Sequence, residues 1–373
     1  MRIILVFLST VFCISGNTQV KTLYSKILGE ERSVVVYSPK GNTSYPVLYL
    51  LDGASNFDMV VSITQYLSQE GLCPAMMVVG IIHPDRSKDL IPVAGNQFMS
   101  YLEKELIPYI DSGYHTTSYK TFLGHSLGGL TVINTLLHQP QLFNSYVSLE
   151  GSLWWEDQKI IAEAKQILPV RNYAGKTLFL AIANRMEKGM DTSAVQKDTS
   201  GNTDLIRANL IFVKDIASNP QNNLRFKHKY YEGDNHSSVR LVGEYDALRF
   251  IFDFYKLNIY NSQFDNPAFK LDSLLIAHYK NVSERMGYTV LPNESSVNSL
   301  GYRMLSMKQY DRAEPLFQMN ITNYPKSANG FDSMGDLYLA RGNKVKAIEY
   351  FTKTLSLENI PETKEKLDKL LAK

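Results

Sequence analysis

Apolar and polar positions between residues 19 and 258 form a pattern that predicts strands alternating with helices. Two early segments, 20–28 and 33–38, have the period of two that is typical of strands at an antiparallel edge. Apolar runs predict six buried strands at 46–52, 75–82, 119–123, 145–150, 177–183 and 224–231. Helical spacing predicts helices at 58–69, 97–110, 127–138 and 203–217, with a last one at 243–255. This order predicts an α/β fold whose eight-stranded, mostly parallel sheet is covered on both faces.

The last part of the chain has a different pattern, which repeats after 34 residues between 297 and 357. The matched pairs are Gly301 with Gly335, Leu305 with Leu339, Ala313 with Ala347, and Phe317 with Phe351. The period and these residue types resemble tetratricopeptide repeats, in which a small alanine lets two helices approach closely. We therefore expect a helical repeat domain at 297–373, ending in a helix at 361–371. A connector at 259–296 is expected to hold a helix at 270–285. Because two repeats are marginal alone, we expect them to dock on the first domain or on a protein partner.

The first 16 residues predict a signal peptide. Arg2 is followed by an apolar stretch that is too short to span a bilayer, and Ser15-Gly16 form a small-residue exit. We expect an exported protein, periplasmic or extracellular, whose first domain covers 17–258. Lipid modification at Cys13 is a weaker alternative because Phe12 is bulky. Cys73 is then the only cysteine of the mature chain, which excludes an internal disulfide.

Composition describes an ordinary globular protein and excludes some classes of partner. The 373 residues are 44% hydrophobic and 20% charged, with a formal net charge of +2. No run of Lys and Arg supplies a footprint for nucleic acid, and no later stretch is long enough to cross a membrane. We also find no cluster of metal ligands at useful spacing.

The most informative segment is Gly124-His125-Ser126-Leu127-Gly128, directly after the predicted fifth strand. It fits the G-x-S-x-G nucleophile elbow, in which a sharp strand-to-helix turn exposes the serine hydroxyl. The alternative is an ordinary glycine-rich turn. A serine after the fifth of eight strands matches the α/β-hydrolase arrangement, so Ser126 is the candidate nucleophile.

A serine hydroxyl needs a base to take its proton, and the base is expected after the last strand. His236 lies there, in a polar loop that contains Gly233. The carboxylate that orients the imidazole is left open. Glu150, at the end of the sixth strand, ranks first because the sheet fixes its position. Glu187 and Asp191 follow the seventh strand, which the usual hydrolase order favours, and a Ser-His dyad is the third possibility.

Two backbone amides are expected to bind the oxyanion. The first is the amide of Leu127, just after the nucleophile, and the second is that of Ala54, with Gly53 supplying the tight turn. The alternative for this second segment is a plain loop.

Three further side-chain features are candidates. Trp154 and Trp155 are placed to stack on an aromatic or sugar ring of a substrate, or else to pack on the sheet. Arg86 with Asp89 is a candidate pair for ordering an active-site loop, or else a solvated pair. His83, after the fourth strand, is a candidate for lining the pocket.

Together these residues resemble the putative esterase family, which includes esterase D, ferric-siderophore esterases, feruloyl esterases and mycolyltransferases. The resemblance covers about 19–258 and is carried by Leu50-Leu51-Asp52-Gly53, the Ser126 segment, Ser152-Leu153-Trp154-Trp155 and the His236 loop. The S-L-W-W piece and the repeats look most like the secreted siderophore-esterase-like branch, where an acidic residue often stands at the spacing of Glu150. Ser237 departs from the glycine that relatives commonly have there.

The resemblance implies an esterase without cofactor or metal, acting on a small-molecule ester that is siderophore-like, aryl or carbohydrate-linked. We expect a secreted serine esterase that works through an acyl-enzyme. Acyl transfer by the same residues is one alternative. A catalytically silent hydrolase domain that serves the repeats as an interaction module is another.

Overall fold

The structure is a computed structural model that describes residues 16–41, 43–92 and 97–372. The predicted signal peptide lies outside these residues apart from Gly16, and so does Cys13. The chain divides into two compact units, residues 1–256 and 257–373. Among the described residues, no helix has the length and apolar content that crossing a bilayer requires.

The first unit is built on one eight-stranded sheet with the order β1-β2-β4-β3-β5-β6-β7-β8. Its strands are β1 (Gly16–Ser25), β2 (Glu30–Pro39), β3 (Tyr45–Leu50), β4 (Met77–Ile81), β5 (Thr116–His125), β6 (Ser145–Leu149), β7 (Thr177–Ala183) and β8 (Arg225–Tyr231). β2 pairs antiparallel with β1 and with β4, and every later pair is parallel. The predicted α/β-hydrolase arrangement is confirmed.

Burial explains why the apolar runs became strands. β4, β6 and β7 are buried at every position, as strands covered on both faces must be. β2, near the edge, alternates between buried and half-exposed side chains. One core of aliphatic and aromatic side chains packs beside the sheet, including Tyr49, Phe122, Phe143 and Leu180.

Helices connect the strands of this unit. They are α1 (Gly53–Gln69), α2 (Arg86–Leu90), α3 (Gln97–Tyr101), α4 (Ile107–Gly113), α5 (Leu127–His138), α6 (Trp155–Ile167), α7 (Thr192–Lys197), α8 (Asp204–Ala217) and α9 (Val239–Ile251). The single helix expected at 97–110 is interrupted by a π-helical turn, Leu102–Leu106, between α3 and α4. Pro108 follows this turn and has no N–H for an ordinary helical bond, which fits the change of register.

The second unit is all-helical. It contains α10 (Asn261–Asp265), α11 (Leu271–Met286), α12 (Glu294–Ser306), α13 (Tyr310–Asn323), α14 (Ala328–Ala340), α15 (Lys344–Leu357) and α16 (Pro361–Leu371). A separate apolar core lies within it and includes Leu275, Met304, Phe317, Leu337 and Phe351.

The 34-residue match corresponds to two equivalent helix pairs. A Cβ added at Gly301 would lie 2.3 Å from the ring of Phe317, and one at Gly335 would lie 2.4 Å from the ring of Phe351. Each glycine therefore lets the next helix bring its phenylalanine against the backbone. The helical tail is present as expected, while its assignment to the tetratricopeptide family stays a prediction.

Candidate active site

Ser126 stands alone between a strand and a helix, because β5 ends at His125 and α5 begins at Leu127. Its backbone has φ 61° and ψ −118°, which a residue other than glycine rarely adopts. The sharp turn places the serine at the amino end of α5, where first-turn amides have no partner within the helix. This is the geometry expected of a nucleophile elbow.

The glycines around Ser126 are required by close backbone approach. A Cβ on Gly124 would lie 2.4 Å from the carbonyl carbon of Gly128. One on Gly129 would lie 2.8 Å from Cα of Gly151. The strand, the turn and the start of α5 thus pack without room for a methyl group, which explains the spacing of glycines in the motif.

The backbone and the hydroxyl of Ser126 are both held by the end of β6 and the segment that follows it. The N–H of Ser126 donates to the Leu149 carbonyl at 3.0 Å, and the carbonyl of Ser126 accepts from the Ser152 N–H at 2.9 Å. Its Oγ also hydrogen-bonds Oγ of Ser152 at 3.2 Å. Sequence reasoning missed Ser152, although the residue lies in the S-L-W-W segment that it singled out.

His236 lies at the same edge of the sheet and is tied to the elbow by His125. The Nε2–H of His125 donates to the main-chain carbonyl of His236 at 2.7 Å, and the two ring centroids are 4.5 Å apart. Burial, and then the charge of His236, lowers the pKa of His125 to about 4, so this donor is a neutral imidazole at pH 7. His125 is structural, as its place in the motif suggests.

Neither imidazole nitrogen of His236 has a hydrogen bond to another of the residues that the structure describes. Nδ1 is buried and has no hydrogen-bond partner among the described residues, and no hydrogen bond between His236 and Ser126 is present among them. Burial lowers its pKa to about 4, and the positive charges of Arg185, Arg240 and Arg86 act in the same direction. At neutral pH the ring is therefore in the form that accepts a proton.

The three candidate carboxylates have very different surroundings. Glu150 is fully buried, where its Oε2 accepts from the Ala183 N–H at 2.5 Å and its Oε1 has no partner among the described residues. Burial raises its pKa to about 8. Glu187 is exposed and accepts from Asn202 Nδ2 at 3.2 Å. Asp191 caps α7 by accepting from two backbone amides, at 2.9 and 2.7 Å.

Both expected oxyanion donors are first-turn amides. Leu127 is the first residue of α5 and Ala54 the second residue of α1, so neither amide has an intrahelical carbonyl to bind. Gly53 supplies the turn before Ala54, because a Cβ there would lie 2.4 Å from the Gly80 backbone. Asp52 precedes it in the left-handed region, with φ 57° and ψ 39°.

The two tryptophans differ in exposure. Trp154 is 38% exposed and follows Ser152 by two residues, while Trp155 is half-buried and packs against the core of the first unit. Their ring centroids are 5.5 Å apart. The cleft beside His236 is lined instead by polar loops, at 184–187, Asn202 and Asn235, and has a volume of about 500 Å³.

Arg86 does not pair with Asp89, so the pair expected from the sequence, whether it orders a loop or is solvated, is wrong. Arg86 binds Asp52, and Asp89 is buried against Arg32 and His83. Although burial opposes ionisation, hydrogen bonds from His83 and Arg32 lower the pKa of Asp89. The side chain of His83 is 2% exposed and hydrogen-bonds Asp89 within this buried cluster, while its role in lining a pocket stays a prediction.

Comparison with family models identifies the family of this chain. The model of a family described as putative esterase matches residues 25–239, which is more than half of the chain. The chain belongs to the putative esterase family. That match includes Ser126, Glu150 and His236, and family membership makes ester hydrolysis the reaction class.

Individual relatives match large parts of the chain. The chain is 25% identical over 279 residues to the ferri-bacillibactin esterase BesA of Bacillus subtilis, covering 65% of this chain and 91% of that protein. An IroE-like serine hydrolase from Shewanella oneidensis has 29% identity and a TM-score of 0.66, covering 82% of this chain and 99% of that one. An uncharacterised protein from Capnocytophaga ochracea has the same fold, with 20% identity, a TM-score of 0.67 and coverage of 96% and 100%.

Proposed function

We propose that this chain is a serine esterase in which Ser126 is the nucleophile and His236 the base. The observation that carries the proposal is the strained backbone of Ser126, at the end of β5 and bonded through His125 to the loop of His236. Backbone strain of this kind persists only where the surrounding structure holds it, and it concentrates at active sites.

In the proposed reaction His236 takes the proton from Oγ of Ser126 as that oxygen attacks the ester carbonyl carbon. The carbonyl π electrons move onto oxygen, and the amides of Leu127 and Ala54 hold the resulting oxyanion. Collapse of the tetrahedral intermediate expels the alcohol oxygen, which takes the proton from His236. Water then attacks the acyl-enzyme and gives a proton to His236. The second tetrahedral intermediate collapses, the bond between the acyl group and Oγ of Ser126 breaks, and Oγ takes the proton back from His236 as the carboxylic acid leaves.

Glu150 is the carboxylate that the surroundings favour for orienting His236. Oε1 of Glu150 and Nδ1 of His236 are both buried polar atoms without a hydrogen-bond partner among the described residues. The N–H at Nδ1 can donate a hydrogen bond, and Oε1 can accept it. Burial disfavours the charged form of each group, so a hydrogen bond between the two groups reduces the free-energy cost of charging either one. The carboxylate of Asp191 is already used as a helix cap, and that of Glu187 is in solvent.

The names of two relatives support a proposal for the substrate class. BesA is named a ferri-bacillibactin esterase, and a siderophore triacetylfusarinine C esterase of Aspergillus fumigatus is 24% identical over 152 residues. We therefore rank siderophore-like esters first, ahead of aryl and carbohydrate-linked esters. The exposed ring of Trp154 suits an aromatic acyl group.

Steady-state hydrolysis of p-nitrophenyl esters tests the nucleophile and the base. Ser126→Ala and His236→Ala are each expected to lower kcat by about 10⁴-fold or more, because loss of any member of such a unit removes most of the catalysis. Ser112→Ala is the matched control, since this exposed hydroxyl donates to a carbonyl of its own helix, that of Tyr109, at 3.0 Å. Turnover by Ser126→Ala at the wild-type rate contradicts the proposal.

A second pair of variants tests the carboxylate. Glu150→Gln keeps the shape but cannot ionise, so it cannot stabilise the imidazolium that forms when His236 takes the proton, and we expect kcat to fall by roughly 10²- to 10⁴-fold. Glu187→Gln is the control and is expected to stay within about 2-fold of wild type, because an exposed carboxylate contributes little. The opposite ranking of the two variants assigns the role to Glu187.

The apolar segment at residues 1–16 supports the further proposal that the protein is exported. Expression of the full chain in a bacterial host, followed by intact mass measurement of the periplasmic protein, tests it. We expect a mature N-terminus near residue 16 or 17. Retention of the complete chain in the cytoplasm contradicts export.

A further inference from the structure

We infer that Arg86 is a positioning residue of the esterase reaction, holding the turn that carries one oxyanion donor against the residue that precedes the nucleophile. The inference rests on the proposed function, because it concerns the placement of Ala54 relative to Ser126.

Arg86 bridges two segments of the site. Its Nε and Nη2 donate to the two carboxylate oxygens of Asp52, at 2.6 and 2.9 Å. Nη2 also donates to the main-chain carbonyl of His125 at 3.1 Å. A bidentate arginine–carboxylate pair fixes the relative orientation of the two groups as well as their distance. One guanidinium thus sets the spacing between the turn after β3 and the end of β5.

The turn after β3 needs an external support. Asp52 has a left-handed backbone that costs about 1 kcal/mol for a residue with a side chain. Gly53 then packs on the backbone of Gly80, and Ala54 follows as the proposed donor. A change at Asp52 is therefore transmitted directly to the amide of Ala54.

Arg86 lies on the short helix α2, and contacts of three other residues of this segment hold the helix in place. Asp85 caps the start of α2 by accepting from two backbone amides at 3.1 Å. Asp89, on the same helix, is buried and accepts from Arg32 of β2, at 3.1 Å from Nη1, and from His83, at 2.8 Å. Thr131 of α5 donates to the carbonyl of Leu90 at 2.7 Å.

This anchoring explains why a buried ionic cluster lies behind the site. Asp89 and Arg32 are each 1% exposed, and removing one partner would leave the other charged and buried. The cluster ties α2 to the sheet and to the nucleophile helix. The backbone that carries Arg86 is then held at a fixed place.

The inference predicts a loss in kcat and not in substrate binding. Oxyanion donors act on the charge that develops in the transition state, and small misplacement of a catalytic group costs up to about 10²-fold. We expect Arg86→Ala to lower kcat of p-nitrophenyl acetate hydrolysis by about 10- to 100-fold, with KM within about 3-fold of wild type. Arg86→Lys keeps the positive charge but cannot form the bidentate hydrogen bonds, so we expect its kcat to lie between those of the wild type and Arg86→Ala.

A double-mutant cycle with Asp52→Asn separates positioning from general damage. Asparagine tolerates the left-handed backbone, so this variant removes mainly the charged pair. We expect Asp52→Asn to lower kcat by about 10-fold. The double variant is expected to be no slower than Arg86→Ala, because both changes break the same contact.

Arg225→Ala is the matched control. Arg225 also donates to a carboxylate, Asp253 at 2.7 Å, and to a main-chain carbonyl, that of Phe250 at 2.6 Å. It lies at the start of β8, whereas the site lies at the carboxyl ends of the strands. We expect a lower Tm for this variant with kcat unchanged.

The outcomes separate the inference from the function on which it rests. If the wild type hydrolyses the ester and kcat of Arg86→Ala is within 2-fold of the wild-type value, the inference is contradicted and the proposed function is not. The inference is also contradicted if the losses in kcat of the two single variants multiply in the double variant. It is contradicted as well if Arg86→Ala changes only KM. A wild-type protein that hydrolyses no ester contradicts the proposed function, and the inference falls with it.

Discussion

Two ionisable side chains at the site have pKa values displaced in opposite directions by the same cause. Burial raises the pKa of Glu150 to about 8 and lowers that of His236 to about 4. Both groups are therefore neutral at pH 7, and each has one polar atom without a partner among the described residues. Such opposed displacement is typical of acid–base sites and supports the assignment of this pair.

A change at Arg185 tests the electrostatics of His236. After burial, the positive charge of Arg185 is the strongest influence that lowers the pKa of this imidazole. Removing the cation in Arg185→Gln stabilises the protonated ring, so its pKa rises. The acid limb of the kcat/KM profile should then move to higher pH by about half a unit, the size expected for one exposed charge.

Lys188→Gln controls for the loss of a charge from the same loop, because Lys188 is exposed and is not among the charges that act on His236. Its pH profile should match that of the wild type. A shift of the Arg185→Gln limb to lower pH, or equal shifts in both variants, contradicts this account of the base.

At the scale of elements, the junction of β5 and α5 is defined by a lack of space. Gly124 and Gly128 belong to the strand and the helix that flank Ser126, and their backbones nearly touch. The same junction receives the carbonyl of Leu149 from β6 and the guanidinium of Arg86 from α2. Packing at this point therefore determines the direction of the nucleophile.

Gly124→Ala should disturb this junction. Its Cβ would lie 2.4 Å from backbone atoms of Gly128, which cannot rotate away, so we expect destabilisation of about 1–3 kcal/mol and a large loss of turnover. Gly113→Ala is the control, because a Cβ there meets nothing within 4 Å. Thermal unfolding and ester hydrolysis measure both effects. Equal Tm values for the two variants would contradict the packing argument.

Elements with strong periodicity were predictable from the sequence, and the short ones were not. The limits of β7 and α5 agree with the apolar pattern, because these segments are buried along almost their whole length. α6 was missed because charged residues follow its first residue, Trp155, and Glu156 has a left-handed backbone. α2 has five residues, which is too short for a helical period to show.

Candidate site residues were predictable where one local motif carries the chemistry, as for Ser126. The contacts of Arg86 were not, because its bond to the His125 carbonyl joins residues 39 positions apart. The bond between His125 and His236 joins residues 111 positions apart. Such pairings depend on strand order, which local spacing does not reveal.

At the scale of the whole molecule, the chain has two units with separate apolar cores. The first unit contains a fully buried carboxyl, Glu244 on α9, whose two oxygens have no hydrogen-bond partner among the described residues. Burial raises its pKa well above 4.5. The adjacent Gly243 packs on Ala181 of β7, so this part of the helix lies directly on the sheet.

Glu244 makes stability depend on pH with a definite sign. Its pKa is higher in the folded than in the unfolded protein, so its contribution is complete below about pH 4.5 and is lost as the pH rises towards the folded value. Glu244→Gln is isosteric and stays neutral. We expect it to raise Tm at pH 8 by several degrees and to leave Tm at pH 4.5 nearly unchanged.

Glu70→Gln is the control, because Glu70 is exposed on the same unit and its replacement should change Tm little at either pH. Scanning calorimetry at the two pH values measures all three proteins. A gain for Glu244→Gln that is larger at pH 4.5 than at pH 8 contradicts the buried neutral carboxyl.

The central claim, that Ser126 is activated by His236, is tested most directly by covalent labelling with a fluorophosphonate followed by peptide mapping. The account predicts one modified peptide, containing Ser126, in the wild type and none in Ser126→Ala. It also predicts labelling that is slower by about 100-fold or more in His236→Ala. Modification of a different peptide, or equal labelling of wild type and Ser126→Ala, would contradict it.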